Sequence, residues 1–314
     1  MEDLEAALLG ESPCLTRAQV VERAGVGAER ARAVWTAMGF AEVPDGEPAF
    51  TSADVLALQQ ASWLVDSDVI DEDTLLVLAR SMGQGLSRLA EAQVDVFRST
   101  VGELTVDEAL VATLSAAGEV LPRVEDLVLF VWRRQFSAAV RRSLVAARQD
   151  GMPLLAIGFL DLVDFTSSTR RWDAARLGRT IERFERDTAL RVGAVGGQVV
   201  KTLGDGVLFS TSDAAAAARV ALTTVAHEVD DELPSVRAGI ALGPVLVRLG
   251  DVFGQPVNLA SRLTDEARPG TVLVDDLAAA ALATDPELRV RPLHRRSVRG
   301  YRALTPHLVR RAEG

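Results

Sequence analysis

Two aspartates stand where short apolar runs end: Asp161 in "GFLDLVDFT" and Asp205 in "LGDG". The first closes the strand-like run "LLAIGFLDL", and the second sits at the turn of a hairpin-like stretch, "GQVVKTLGDGVLFST". A carboxylate pair with few other protein ligands is how a chain holds magnesium, which keeps waters and takes its remaining oxygens from a nucleotide's phosphates. Two metals held there clamp an attacking and a leaving oxygen. Taken singly, each aspartate reads equally well as a strand-end or turn residue. A second group lies in "GDVFGQPVNLASRL". Asn258 and Arg262 are four apart at the start of a helical run and point the same way, and Asp251 stands seven residues before Asn258, ahead of the turn at Gly254. The last residue of interest is Lys201, the one lysine among 34 cationic side chains, four residues before Asp205.

From Pro153 onward the pattern that must position these residues alternates strands with helices. Strand "LLAIGFLDL" leads to helix "AARLGRTIERFERDTALRV", the hairpin turning at Gly204 and Asp205, and helix "DAAAAARVALTTVAHEV". A strand pair "VRAGIALG" and "VLVRLG" and the helix "GQPVNLASRLTDEA" follow. A βαββαβ order predicts a ferredoxin-like α+β sandwich with the first strand beside the hairpin, so that Asp161 and Asp205 converge on one edge of the sheet. The first half reads as helical. Thr16 caps "RAQVVERAG", Gly25 to Gly27 makes a turn, and "AERARAVWTAMG" closes at Gly39. After the loop "VPDGEPAF" come three longer helices, "DEDTLLVLARSMGQGLSRLAEAQVDVF", "TVDEALVATLSAAG" and "RVEDLVLFVWRRQFSAAVRRSLVAARQDG", with the apolar spacing of helices that pack in a bundle. The expected domains are 1–150, all helical, and 151–314, α+β. Only Gly151 and Pro153 interrupt the join, which leaves no flexible linker.

Composition narrows the function. With 314 residues, 48% hydrophobic and 25% charged, the chain has room for two globular domains. No apolar run reaches the roughly 18 residues of a membrane span, and the acidic start "MEDLEAALLGESPC" is unlike a signal peptide, so a cytoplasmic location is expected. The lone Cys14 forms no internal disulfide and is assigned no chemistry. Positions 1–150 hold 24 acidic and 13 basic residues, a balance of −11, whereas the remainder is near neutral. That acidity argues against a DNA backbone as partner for the helix-turn-helix-like segment, and favours a structural or regulatory role. The near-neutral half retains room for cationic sites that bind a small anion.

Residues 152–314 resemble the catalytic domain of class III nucleotidyl cyclases, through "FLDLVDFT", "GGQVVKTLGDG", "VRAGIALGPV" and "DVFGQPVNLASRL" in the family's order and spacing. The resemblance implies an adenylate cyclase, converting ATP to 3′,5′-cyclic AMP and pyrophosphate with two divalent cations, magnesium or manganese. It implies Asp161, Asp205 and Leu162 as the metal-binding residues. Lys201 and Asp251 become the pair that reads the purine, Asn258 and Arg262 the transition-state pair, and Arg237 and Arg299 cations for the triphosphate. Adenine offers an acceptor at N1 and a donor at its exocyclic amine, which suits one compact donor beside one acceptor. An arginine at 201 brings a longer, planar fork of donors. The family usually carries glycine where this chain has Asp164, and that added carboxylate either tightens metal binding or crowds the phosphates. A homodimer is implied, because in the family the metal aspartates of one chain face the purine-reading and transition-state residues of the other. No histidine is needed, so His227, His294 and His307 are read as structural. The first half resembles, through "LTRAQVVERAGV" and "VWTAMGF", the helical regulatory domain of some actinobacterial cyclases, with a lipid-like molecule or a proton as its candidate signal. The alternative is a catalytically weak cyclase-like module that binds nucleotide and signals through that half.

Overall fold

The structure, a computed structural model, describes residues 2–101, 105–146, 152–165, 172–226, 233–298 and 301–312. The chain divides into two compact units, 1–140 and 141–314.

The helical unit contains α1 (Glu2–Leu9), α2 (Arg17–Ala24), α3 (Ala28–Met38), α4 (Ser52–Asp66), α5 (Glu72–Val101) and α6 (Val106–Glu119), and α7 (Leu121–Ala146) runs out of it. Three of these helices start on reciprocal caps, Thr16 with Gln19, Thr51 with Asp54 and Thr105 with Glu108, each satisfying two backbone donors that the first turn leaves orphaned. Gly25 and Gly39 end α2 and α3 in the left-handed conformation. Leu15, Val20, Ala31 and Leu58 form one small core, with Trp35 and Phe50 packed on it. Val34, Ala61 and Leu75 form another. All the helices read from the sequence are present, and α1 and α4, which it did not suggest, are added. The expected bundle packing of the longest helices is corrected. Leu86 on α5 and Trp132 and Phe136 on α7 remain 54%, 57% and 58% exposed, because these helices carry more apolar surface than the helices around them cover.

The second unit is built on a seven-stranded sheet. Its elements are β1 (Leu154–Leu162), α8 (Ala174–Ala194), β2 (Gln198–Leu203), β3 (Gly206–Thr211), α9 (Ala214–Val225) and β4 (Val236–Pro244). There follow β5 (Leu246–Arg248), β6 (Asp251–Phe253), α10 (Gln255–Glu266), β7 (Val272–Val274), α11 (Asp276–Leu282), β8 (Leu288–Pro292), β9 (Arg296–Val298), β10 (Tyr301–Leu304) and β11 (His307–Arg311). The sheet order is β2-β3-β1-β4-β7-β11-β8. Its first four strands are the expected ferredoxin-like βαββαβ core, with β1 between β3 and β4 and antiparallel to both. The strand pair expected at "VRAGIALG" and "VLVRLG" forms differently: β4 joins the main sheet, and β5 pairs with β6 in a separate ribbon.

Period-2 alternation along β1 sorts the two faces of the sheet. Ala156, Leu160 and Leu162 join the large core containing Phe184 of α8 and the buried alanines of α9. Leu155, Ile157 and Phe159 face the other way, toward Val257 and Ala260 of α10. That helix lies almost in contact with β4. A Cβ built on Gly239 would come within 2.4 Å of both the Ala260 carbonyl oxygen and the Thr264 nitrogen. Glycine at 239 is therefore what allows α10 to reach its place.

Candidate active site

Asp161 follows Phe159 by two residues and so shares the α10 face of the sheet. In the strand register it stands between Gly206 of β3 and Arg237 of β4. The Leu162 N–H donates to the Asp205 carbonyl at 3.0 Å, which ties the hairpin turn to the end of β1. Gly204, at φ 68°, makes that turn. Burial pushes the Asp161 carboxyl above the usual carboxylate range. Arg237 pulls against that shift, while Asp205 and Asp265 reinforce it. A half-buried carboxylate with a second carboxylate nearby calls for a cation, and an all-oxygen donor pair suits magnesium or manganese. Leu162 is buried in the core below, so only its main chain could add an oxygen.

Asp164 stands where the chain turns after β1. Its φ of 59° is left-handed, a conformation that glycine adopts freely and that aspartate tolerates better than most residues. It is exposed. Among the described residues no three His, Cys, Asp or Glu side chains gather as a metal site.

Lys201 reaches the same face through an irregularity in the hairpin. Val199 pairs with Phe209, but Lys201 pairs with Leu208, so β2 carries one extra residue between them. Without that bulge Lys201 would oppose Val207, whose side chain lies in the core on the α8 and α9 face. With it Lys201 joins Leu208 on the α10 face. There its Nζ donates to Asp251 Oδ2 at 2.5 Å, across fifty positions of sequence. Burial raises the Asp251 carboxyl, but Lys201 and the Val252 N–H together bring it below its ordinary value. The two side chains keep 39% and 29% of their surface, so both remain open to a ligand.

Gly254 opens α10 at φ 144°, and proline follows within its first turn. Pro256, Ala260, Leu263 and Thr264 are the buried side of the helix. Asn258 is exposed and Arg262 half-buried, one turn apart. Arg262 Nη1 donates to Asp265 Oδ2 at 3.1 Å. Asp265 is a residue that the sequence reading missed, although its i+3 spacing from Arg262 was visible. It has a second role, because its main-chain carbonyl accepts from Arg237 Nη1 at 3.1 Å. Arg237 itself donates to Asp161 Oδ2 from Nε at 2.8 Å, and its Nη2 lies 2.6 Å from the same oxygen. Arg299 and His227 lie outside the described residues. His294 is exposed, and His307 Nδ1 stands 3.6 Å from Asp276 on the far side of the sheet core.

The fold thus presents Asp161 and the Lys201–Asp251 pair on one sheet face, Asp205 in the turn tied to the end of β1, and an asparagine and an arginine on the helix lying over that face. The chain belongs to the adenylate and guanylate cyclase catalytic domain family, whose model matches residues 149–311. It is 43% identical to a protein named adenylate cyclase from Streptomyces coelicolor over 289 residues, covering 89% of this chain and 74% of that one. A protein of the same name from Glutamicibacter nicotianae is 36% identical over 331 residues, covering 99% and 82%. Another from Streptomyces griseus is 41% identical over 287 residues, covering 89% and 71%. These alignments extend well beyond the matched catalytic segment, so the helical unit is shared as well. Among the described residues no helix is long and apolar enough to cross a membrane.

Proposed function

We propose that this chain is an adenylate cyclase that converts ATP to 3′,5′-cyclic AMP and pyrophosphate in a homodimer, under the control of its helical unit. The observation that carries the substrate reading is the Lys201–Asp251 pair, a single compact donor beside an acceptor. Lys201 donates to adenine N1 and Asp251 accepts from the exocyclic amine. Guanine presents the opposite pattern at those atoms and is refused. The relatives named adenylate cyclase support the same substrate.

Asp161 and Asp205 hold two divalent cations, with Leu162 beside them. Bound there, these ions supply charge neutralisation along the triphosphate and acidify the ribose 3′-hydroxyl. The chain's own residues do the rest. Asn258 holds the ribose so that its 3′-oxygen faces the α-phosphorus in line with the departing pyrophosphate. Arg262 donates to the α-phosphate oxygens as negative charge builds on them. Arg237 and Arg299 bind the outer phosphates. In a two-fold dimer the aspartates of one chain meet the lysine, asparagine and arginine of the other, which gives two identical sites.

The test is direct. Purified protein given ATP with manganese or magnesium should form cyclic AMP, and Asp205→Ala should abolish it while leaving the circular dichroism spectrum unchanged. ATP binding without cyclic AMP under either metal would favour the silent nucleotide-binding module instead. For control by the helical unit, truncation of residues 1–149 should change specific activity or its dependence on pH or added lipid. Identical behaviour of both forms under all these conditions would remove the regulatory assignment.

A further inference from the structure

The carboxylate assigned to metal already has a cation, and that cation belongs to the protein. Arg237 stands directly opposite Asp161 in the β1–β4 register. Its Nε and Nη2 both approach one oxygen, Oδ2, at 2.8 and 2.6 Å, while Nη1 is fixed to the Asp265 carbonyl at 3.1 Å. All three guanidinium nitrogens are engaged. Nε donates into one acceptor direction of Oδ2, and the charged Nη2 lies against the same oxygen. An incoming cation therefore meets the guanidinium's positive charge at Oδ2, and Oδ1, on the Gly206 side, is the oxygen left facing away from it. The pair keeps just 28% and 23% of its side-chain surface, so water competes with it less than with a surface ion pair.

We propose that Arg237 is the resting counter-cation of Asp161 and makes capture of divalent metal by this chain depend on a polyphosphate that draws the guanidinium away. A free metal ion must displace this charge-assisted contact, anchored further by the Asp265 carbonyl, before Asp161 can offer both oxygens, and magnesium in particular sheds its own water reluctantly. A triphosphate changes that balance. Its oxygens offer the guanidinium an equally good or better partner, and release of Oδ2 completes the metal site when the substrate is in place. An enzyme so built resists loading with stray metal in the absence of nucleotide. This inference rests on the assignment of Asp161 to metal.

The experiment measures Mn2+ binding to the full-length protein without nucleotide, from the electron paramagnetic resonance signal of the free ion. Arg237→Met should bind Mn2+ at least about tenfold more tightly than wild type, since it leaves Asp161, with Asp205 on its other side, without a protein cation against it. Arg237→Lys keeps a charge but cannot make all three nitrogen contacts, and should tighten binding by a smaller factor of about three. Wild-type affinity in both folded variants would overturn the proposal. Should Arg237→Met fail to fold, Arg237→Lys decides alone, tighter binding supporting the proposal and unchanged binding ending it. Adding Asp161→Ala to whichever Arg237 variant binds more tightly separates the two layers of the argument: if the double variant keeps that tighter Mn2+ affinity, the metal assignment itself is wrong, and if it loses it, Asp161 is the ligand that Arg237 covers.

Discussion

Lys201 Nζ and Asp251 Oδ2 lie 2.5 Å apart, and the contact exists because one extra residue in β2 turns the lysine over. The bulge falls between Val199 and Lys201, so Val200 and Lys201 both lean toward the α10 side. A pair made this way is placed by backbone geometry on both sides, since Asp251 is fixed opposite Arg248 at the turn end of the short ribbon of β5 and β6. Its chemistry is then sensitive to shape as well as to charge.

Lys201→Arg should therefore lower kcat/KM for ATP by at least about tenfold, the value of one well-made polar contact to a charged group, even though the charge is kept. Arginine-to-lysine changes on the exposed face of α8, such as Arg186→Lys, should leave it within about twofold. The double variant Lys201→Glu with Asp251→Cys should use ATP less well and GTP better. An unchanged preference for ATP in that variant would show that these residues do not read the base.

The Asp251 carboxyl is held below its ordinary value, and this gives a pH dependence of known sign. A depressed folded-state value contributes stability above the carboxylate range and loses it as pH falls through the folded value. Wild type should be more stable than Asp251→Asn at neutral pH, and the difference should shrink toward zero below about pH 4. The pair is partly exposed, so the difference at neutral pH should stay below about 1 kcal/mol. Urea midpoints of the two proteins across pH 3 to 7 would check it, and a gap that widened in acid would contradict the assignment.

Gly239→Ala tests how α10 is seated. The added methyl meets backbone atoms of Ala260 and Thr264, which cannot swing aside as a side chain would. The helix must shift, at a cost of about 1–3 kcal/mol in stability. Because the same helix carries Asn258 and Arg262, cyclic AMP formation should fall further than the lost stability explains, and a stable, fully active variant would mean that α10 tolerates displacement.

Much of this was legible in the sequence. Strand β1 ends where "LLAIGFLDL" ends, and the hairpin turns at Gly204 and Asp205 as read, because a leucine run and a Gly-Asp-Gly turn are strong local signals. The bulge was not legible: Val199 and Val200 are the same residue type, and only pairing with β3 decides which one is extra. Nor were the strands from β8 to β11: β8, whose alternating arginines suit the exposed sheet edge it forms, resembles a loop by composition, and β11 is recognisable only once it pairs between β7 and β8. Helix α4 did carry a start signal, Thr51 with Asp54, but a neighbouring Pro- and Gly-containing loop masked it. The pairing of Arg237 with Asp161 needed the β1–β4 register, since 76 positions separate them.

The dimer reading yields a complementation test. Asp205→Ala and Arg262→Ala proteins should each be inactive, because in a symmetric dimer each variant breaks both sites, one through its metal ligand and the other through its phosphate contact. In a mixed dimer both lesions fall in one site, and the other takes its aspartates from the Arg262→Ala chain and its arginine from the Asp205→Ala chain. Random exchange makes about half of the dimers mixed, each with one intact site, so activity should recover to roughly a quarter of wild type. Subunit exchange must be shown independently, for instance by energy transfer between labelled chains. Exchange without recovered activity would mean that each site is assembled within a single chain.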